Sequence, residues 1–168
     1  MTPNRSPKDA PERQFVLGQG LRASILATAE ETDGHLDLMD CVQPPDAATP
    51  LHMHTRYEER YWVISGSMTV FAGADEVMMG PGDYYVVPTN VPHMVRFGPE
   101  GTRALVFSSP AGFADLVARA GTPSHLATPE TELDSDLFLA VSTELGDVVL
   151  GPPGTTPADL APTLKGGA

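Results

Sequence analysis

From residue 14 onward the chain alternates between short apolar stretches and tight polar turns. Phe15–Leu17 and Leu21–Thr28 read as strands, with Gly18 and Gly20 between them. His35–Val42 alternates, with Leu36 and Leu38 on one side, after the polar turn Glu30–Gly34. Arg60–Ile64 is a β-prone run, and Ser67–Phe71 reads as its hairpin partner across Gly66. Glu76–Met79, Tyr84–Val87, His93–Phe97 and Thr102–Ser108 complete the series, with Gly, Asp and Pro turns between them. Close, regular strands joined by such turns predict an all-β fold, an antiparallel barrel or sandwich over about residues 14–110.

After Pro110 the period changes. Phe113–Gly121 reads as a helix with Phe113, Leu116, Val117 and Ala120 on one face and Gly121 as its stop. Ser135–Leu145 reads as a second helix, with Leu137, Phe138, Val141 and Leu145 on one face and Gly146 after it. The expected organisation is a single domain over residues 14–150, with its helical segment in 111–150. Residues 1–13 carry prolines and charges without an apolar period and are expected to form a flexible arm; 151–168, rich in Pro, Gly and Thr, a flexible tail. No internal repeat suggests a second copy of the domain.

Composition narrows the partners. With 168 residues the chain has room for one sizeable core. Its formal net charge of -12 argues against nucleic acid and anionic membranes, which need a basic face. No apolar run approaches the ~18 residues of a membrane span, and residues 1–13 lack the apolar core of a secretory signal. The lone Cys41 cannot pair internally, which predicts a reducing, cytoplasmic setting, and it reads as a small buried hydrophobe.

The candidate chemistry lies in Leu51-His52-Met53-His54-Thr55-Arg56-Tyr57-Glu58-Glu59. In an extended segment, His52 and His54 point to one face. Glu59 follows after four residues, Gly66 comes seven later, and Gly82-x5-Pro88-x4-His93 lies downstream. These joint spacings select His52, His54, Glu59 and His93 as ligands of one divalent metal ion. Imidazole and carboxylate suit Fe, Ni, Mn, Co, Zn or Cu, and the donor set does not choose among them. Metal affinity should weaken as pH falls through the histidine range near ~6.5. Alternation offers Tyr61, Val63, Phe71, Tyr85, Val95 and Phe97 as pocket walls. Glu58 could replace Glu59, but the Gly66 spacing favours Glu59. His35 and His125 read as surface residues, and Tyr57, Tyr61 and Trp62 as core or barrel wall. The acidic run Glu130, Glu132, Asp134, Asp136 reads as a solvated surface with a helix N-cap.

These two stretches resemble the paired motifs of the cupin superfamily, G-x5-H-x-H-x(3,4)-E-x6-G and G-x5-P-x-G-x2-H-x3-N. The chain departs at Asp46 and Asn90, where the motifs have Gly, and at Phe97, where the second closes on Asn. Asn90 tolerates a left-handed turn. The resemblance, over about residues 34–110, implies a single cupin-type antiparallel β-barrel (double-stranded β-helix) with one or two helices after it, and a homodimer. A looser resemblance of Ser108–Phe113 and the following helix to small bacterial cupins related to quercetin 2,3-dioxygenase implies a dioxygenase. Its substrate would be a flavonol or similar enolisable aromatic small molecule, its co-substrate dioxygen, and Glu59 would accept the substrate's hydroxyl proton. Two other classes stay open: a metal-dependent isomerase or cyclase, and a non-catalytic binding cupin.

Overall fold

A computed structural model describes residues 10–18 and 20–160. Of the arm expected over 1–13 and the tail expected over 151–168, residues 1–9 and 161–168 lie outside the described residues. The strands are β1 (Gln14–Val16), β2 (Arg22–Ala27), β3 (Asp37–Gln43), β4 (Pro50–His54), β5 (Glu58–Ala72), β6 (Asp75–Met79), β7 (Tyr84–Val87), β8 (His93–Ser109), β9 (Thr122–Pro123) and β10 (Asp147–Pro153). The helices are α1 (Phe113–Ala120) and α2 (Ser135–Leu145). All strand pairs are antiparallel. One path runs β10-β4-β8-β3-β2-β1-β9, while β5 pairs β6, β7 and β8. The barrel and the helices that follow it are as the pattern predicts. β10 crosses residue 150, and a short 3-10 helix follows at Pro157–Leu160.

The spine is a long ribbon of β5 against β8, and here the hairpin reading fails. Gly66 is not a reversal: β5 continues through it for 15 residues, just as β8 continues through Gly98 and Gly101. Bulges fall between Val63 and Ser65 and between Gly66 and Met68. The first leaves Ile64 as one extra residue on β5, and the second sets Ser67 opposite Gly98–Gly101 of β8; a single inserted residue shifts which side chains face inward. The inward parity therefore changes across the bend. Glu59, Tyr61 and Val63 are buried before it, Met68, Val70 and Ala72 after it. β8 makes the matching change, from Val95 and Phe97 to Thr102, Ala104 and Val106.

Gly66 sits at φ +74, and a Cβ there would lie 2.0 Å from the Gly101 carbonyl oxygen. The two strands approach too closely at the bend for any side chain.

Two wall assignments are corrected, Phe71 by the parity change and Trp62 by alternation alone. Phe71 lies beyond the bend, on the face opposite Val70, with the Arg96 guanidinium 5.1 Å over its ring. Trp62, read as core or barrel wall, points outward and is 49% exposed, because Tyr61 and Val63 take the inward positions. Tyr61, Val63, Val95 and Phe97 are in the core, and Tyr85 packs against it.

The motif positions without glycine keep the glycine conformation: Asp46 has φ 57 and Asn90 φ 62. Asp and Asn are the side chains that tolerate this region best. Asn90 N–H then reaches the His54 carbonyl at 2.8 Å, tying the second motif's turn to the end of β4.

The helices are anchored to the barrel. Buried Asp37 accepts from Gly112 N–H at 2.8 Å and Ala114 N–H at 2.9 Å, capping α1 from β3. Leu116 and Ala120 of α1 pack on Val141 of α2. Leu137, expected on the packed face of α2, is 43% exposed, while Phe138 and Leu145 are partly buried there. Asp134 caps α2 by accepting from Leu137 N–H at 2.9 Å. Gly146 ends the helix at φ 87 and sends the chain into β10.

Candidate metal centre

Three strands bring the four predicted residues together. β4 supplies His52 and His54, two apart and therefore on one face. β5 opens with Glu59 at its second position, and β8 opens with His93, directly paired with His52. One donor atom from each of His52, His54, Glu59 and His93 lies within 4.8 Å of all the others. Glu59 Oε2 is the centre of the group. It lies 3.0 Å from His54 Nε2, 3.1 Å from His93 Nε2 and 4.0 Å from His52 Nε2. Donors sharing an ion at ~2.1 Å lie no more than ~4.2 Å apart. All three distances to Glu59 fall within that bound.

The outer nitrogens strengthen the fit. His52 Nδ1–H donates to Pro50 O at 2.7 Å, and His93 Nδ1–H donates to Val91 O at 2.9 Å. His54 Nδ1–H donates to the Asp147 carboxylate at 2.7 Å. With every Nδ1 holding a proton against an acceptor, every Nε2 is the atom left to face inward. The set fits a divalent transition ion of the cupin type and does not select which one.

Burial and charge divide the histidines. His54 loses by burial, yet hydrogen bonds to Asp147 and Glu59 outweigh that, and its pKa is pushed up to about 9. Burial and repulsion from His93 and His54 lower His52 to about 3. The single titration near ~6.5 expected for the ligands therefore splits in two. Burial opposes the charge on Glu59, but hydrogen bonds from His54 and His93 hold its carboxyl well below the usual range. Burial, with Glu59 nearby, pushes the Cys41 thiol up, so Cys41 stays a protonated core residue.

The remaining candidates fall elsewhere. Glu58 turns to Arg60, with Nη2 at 2.7 Å, and leaves the centre to Glu59. His35 and His125 are exposed, as expected.

Three side chains support the centre in ways the sequence reading, which took Tyr61 and Tyr57 as core or barrel wall, did not foresee. Tyr61 O–H donates to Glu59 Oε2 at 2.6 Å. Alternation placed it on the same face as Glu59, two residues on, without showing this bond. Tyr57 stacks on the His54 ring, centroids 4.4 Å apart, and donates to Asp147 Oδ2 at 3.1 Å. Asp147 itself lies 93 residues from His54 in sequence, and no local spacing points to it.

Residues 39–108 match the family described as the cupin domain. This barrel has the cupin fold. The chain is 26% identical over 99 residues to quercetin 2,3-dioxygenase of Bacillus subtilis, a match covering 59% of this chain and 29% of that one. The chain thus spans less than a third of that relative's length. Two solved cupin-like structures share the fold. The polyketide cyclase RemF from Streptomyces resistomycificus superposes with a TM-score of 0.54 at 21% identity, over 66% of this chain and 80% of that one. KdgF from Halomonas sp. gives 0.52 at 20% identity, over 58% and 86%. Among the described residues, no helix is long and apolar enough to cross a membrane.

Proposed function

We propose that the protein is a metal-dependent enzyme that oxygenates a flavonol or a similar enolisable aromatic small molecule. One observation carries the metal reading: the Glu59 carboxylate lies amid three imidazole Nε2 atoms, each ring anchored at Nδ1. The similarity to quercetin 2,3-dioxygenase over 99 residues supports the choice of reaction.

When bound, a divalent transition ion would supply Lewis acidity and open positions for substrate and dioxygen. The protein's own groups do the rest. Glu59 takes the substrate's hydroxyl proton at its carboxylate, and Tyr61, donating at 2.6 Å, holds that carboxylate in one orientation. Tyr61 links this carboxylate to the buried apolar core it shares with Val63, Val95 and Phe97. His52 marks the side from which substrate enters: its side chain is 17% exposed, against 4%, 5% and 0% for His54, Glu59 and His93. Its cross-strand neighbour Val149 is exposed beside it and gives the entrance an apolar edge.

We extend the reading to assembly. Trp62, Ile64 and Val42 expose apolar surface, which suits a homodimer, to be read from the mass in solution at micromolar concentration.

The functional test pairs metal content with oxygen uptake on a flavonol, for wild type and Glu59→Gln. Gln keeps the side chain's size and a coordinating oxygen but does not accept the proton. The expected result is retained metal with turnover lower by on the order of 10²–10⁴. Wild-type turnover in the variant removes Glu59 as the base. If wild type loaded with each candidate metal consumes no oxygen, the dioxygenase reading gives way to a cyclase or isomerase, or to a binding cupin.

A further inference from the structure

We propose that Asp147 is a positioning residue of the metal centre: it clamps His54 so that Nε2 faces the ion, and β10 thereby completes a site whose four donors all lie on the barrel. The inference rests on reading His52, His54, Glu59 and His93 as ligands.

The contrast among the three histidines carries it. His52 and His93 each donate Nδ1–H to the backbone carbonyl two residues upstream, Pro50 and Val91. Such an acceptor comes with the strand and costs the sequence nothing. His54, on the same strand as His52, does not use the equivalent carbonyl. Its Nδ1–H goes to Asp147 Oδ1 at 2.7 Å. Asp147 is its cross-strand partner on β10, so strand register alone sets the two side by side on one face.

Asp147 is 6% exposed, and a buried carboxylate without partners is costly. Its other oxygen accepts from Tyr57 O–H at 3.1 Å, and the Tyr57 ring in turn covers the His54 ring at an interplanar angle of 25°. The imidazole is thus held at its edge by Asp147 and on its face by Tyr57. A carboxylate on Nδ1–H also makes Nε2 a stronger donor than a carbonyl would.

The junction that delivers Asp147 is fastened to the residues just after His54. Thr55 Oγ1 donates to Gly146 O at 2.7 Å, and Arg56 Nη1 donates to Glu144 O at 3.2 Å. A Cβ on Gly146 would meet Arg56 Nε and Thr55 Oγ1, each at 2.8 Å. The end of α2 therefore docks against residues 55 and 56 and places Asp147 in register. Glu144, Gly146 and Asp147 all lie beyond residue 108, where the cupin-domain match ends.

Cobalt(II) is the probe. Its affinity is read by competition with a chromophoric chelator, its surroundings by the visible absorption of the bound ion, and the fold by circular dichroism. Asp147→Ala should bind cobalt about 10–100-fold more weakly with an altered visible spectrum and an unchanged fold. Asp147→Asn keeps an oxygen for Nδ1–H and an amide for Tyr57, and should recover part of the loss. A folded Asp147→Ala with wild-type affinity and spectrum overturns the proposal. If Asp147→Ala does not fold, Asp147→Asn and Tyr57→Phe decide it: both several-fold weaker supports it, both at wild-type affinity overturns it. A wild type that takes up no cobalt overturns the metal reading instead. The clamp is then judged in metal-free protein by imidazole 15N–1H correlations. A hydrogen-bonded His54 Nδ1–H in wild type, weakened in Asp147→Asn and lost in Asp147→Ala, supports it, and its absence from wild type overturns it.

Discussion

The stretch matched by the cupin family, residues 39–108, and the segment after it support the metal centre in different ways. The first contributes every donor, and for His52 and His93 also the acceptors that fix them, each two residues away. The second contributes no donor. It sends one carboxylate, through α1, α2 and β10, to a histidine 93 residues earlier. A donor set built from neighbouring strands keeps its geometry through strand period and register. A support brought from so far depends on a chain of packed elements, any of which can move it.

The first prediction breaks the comparison on the barrel side. In the His52→Ala/His54→Ala double variant the barrel should fold while metal content, measured by elemental analysis, falls from one ion per chain to near zero. Stoichiometry unchanged from wild type would remove these residues as ligands.

The second sets the histidine held by the C-terminal strand against the one held by the barrel alone. His52, lowered to about 3, is neutral at working pH, while His54, raised to about 9, carries a proton that an incoming ion must displace. Apparent metal affinity should therefore fall about tenfold for each pH unit below 9 and level off above it. Competition titrations between pH 6 and pH 10 check this, and a flat profile contradicts it. In the metal-free protein the sign is opposite. His54 is raised above its unfolded value, so the stability it lends is complete below ~6.5 and is lost as pH rises through about 9. His52 is lowered, so its contribution is present above ~6.5 and erodes as pH falls towards 3.

The third compares two left-handed glycines, one in each region. Gly66 in the barrel bend has φ +74 and the Gly101 carbonyl against it; Gly154, after β10, has φ +87 with nothing within 4 Å. Gly66→Ala suffers both backbone strain and collision and should lose about 2–4 kcal/mol in urea unfolding. Gly154→Ala carries only the strain and should lose about 1 kcal/mol. Equal losses would mean that the close approach at the bend is not what requires glycine.

The same contrast explains what was legible in the sequence. His52, His54, Glu59 and His93 were readable because strand period and turn length put them together over short distances. Asn90, where the second motif has glycine, was readable as a tolerable departure; it adopts the left-handed conformation, and so does Asp46. α2 was readable from its Asp134 cap and Gly146 stop. Phe71 was misplaced for a physical reason. A bulge shifts the inward parity, and alternation carried through Gly66 assigns the wrong face. Gly66 itself was taken for a hairpin, because a glycine that bends a strand and one that reverses it look alike when the partner strand is not known. Asp147 was beyond reach, since only the register of β10 on β4 connects it to His54.

The central claim is that one divalent ion sits among these four side chains. Anomalous X-ray diffraction from cobalt-loaded crystals tests it directly. The account predicts one strong peak per chain, about 2.0–2.2 Å from Nε2 of His52, His54 and His93 and from a Glu59 oxygen. A loaded protein whose anomalous density lies at His35 or His125, or anywhere away from Glu59, contradicts it.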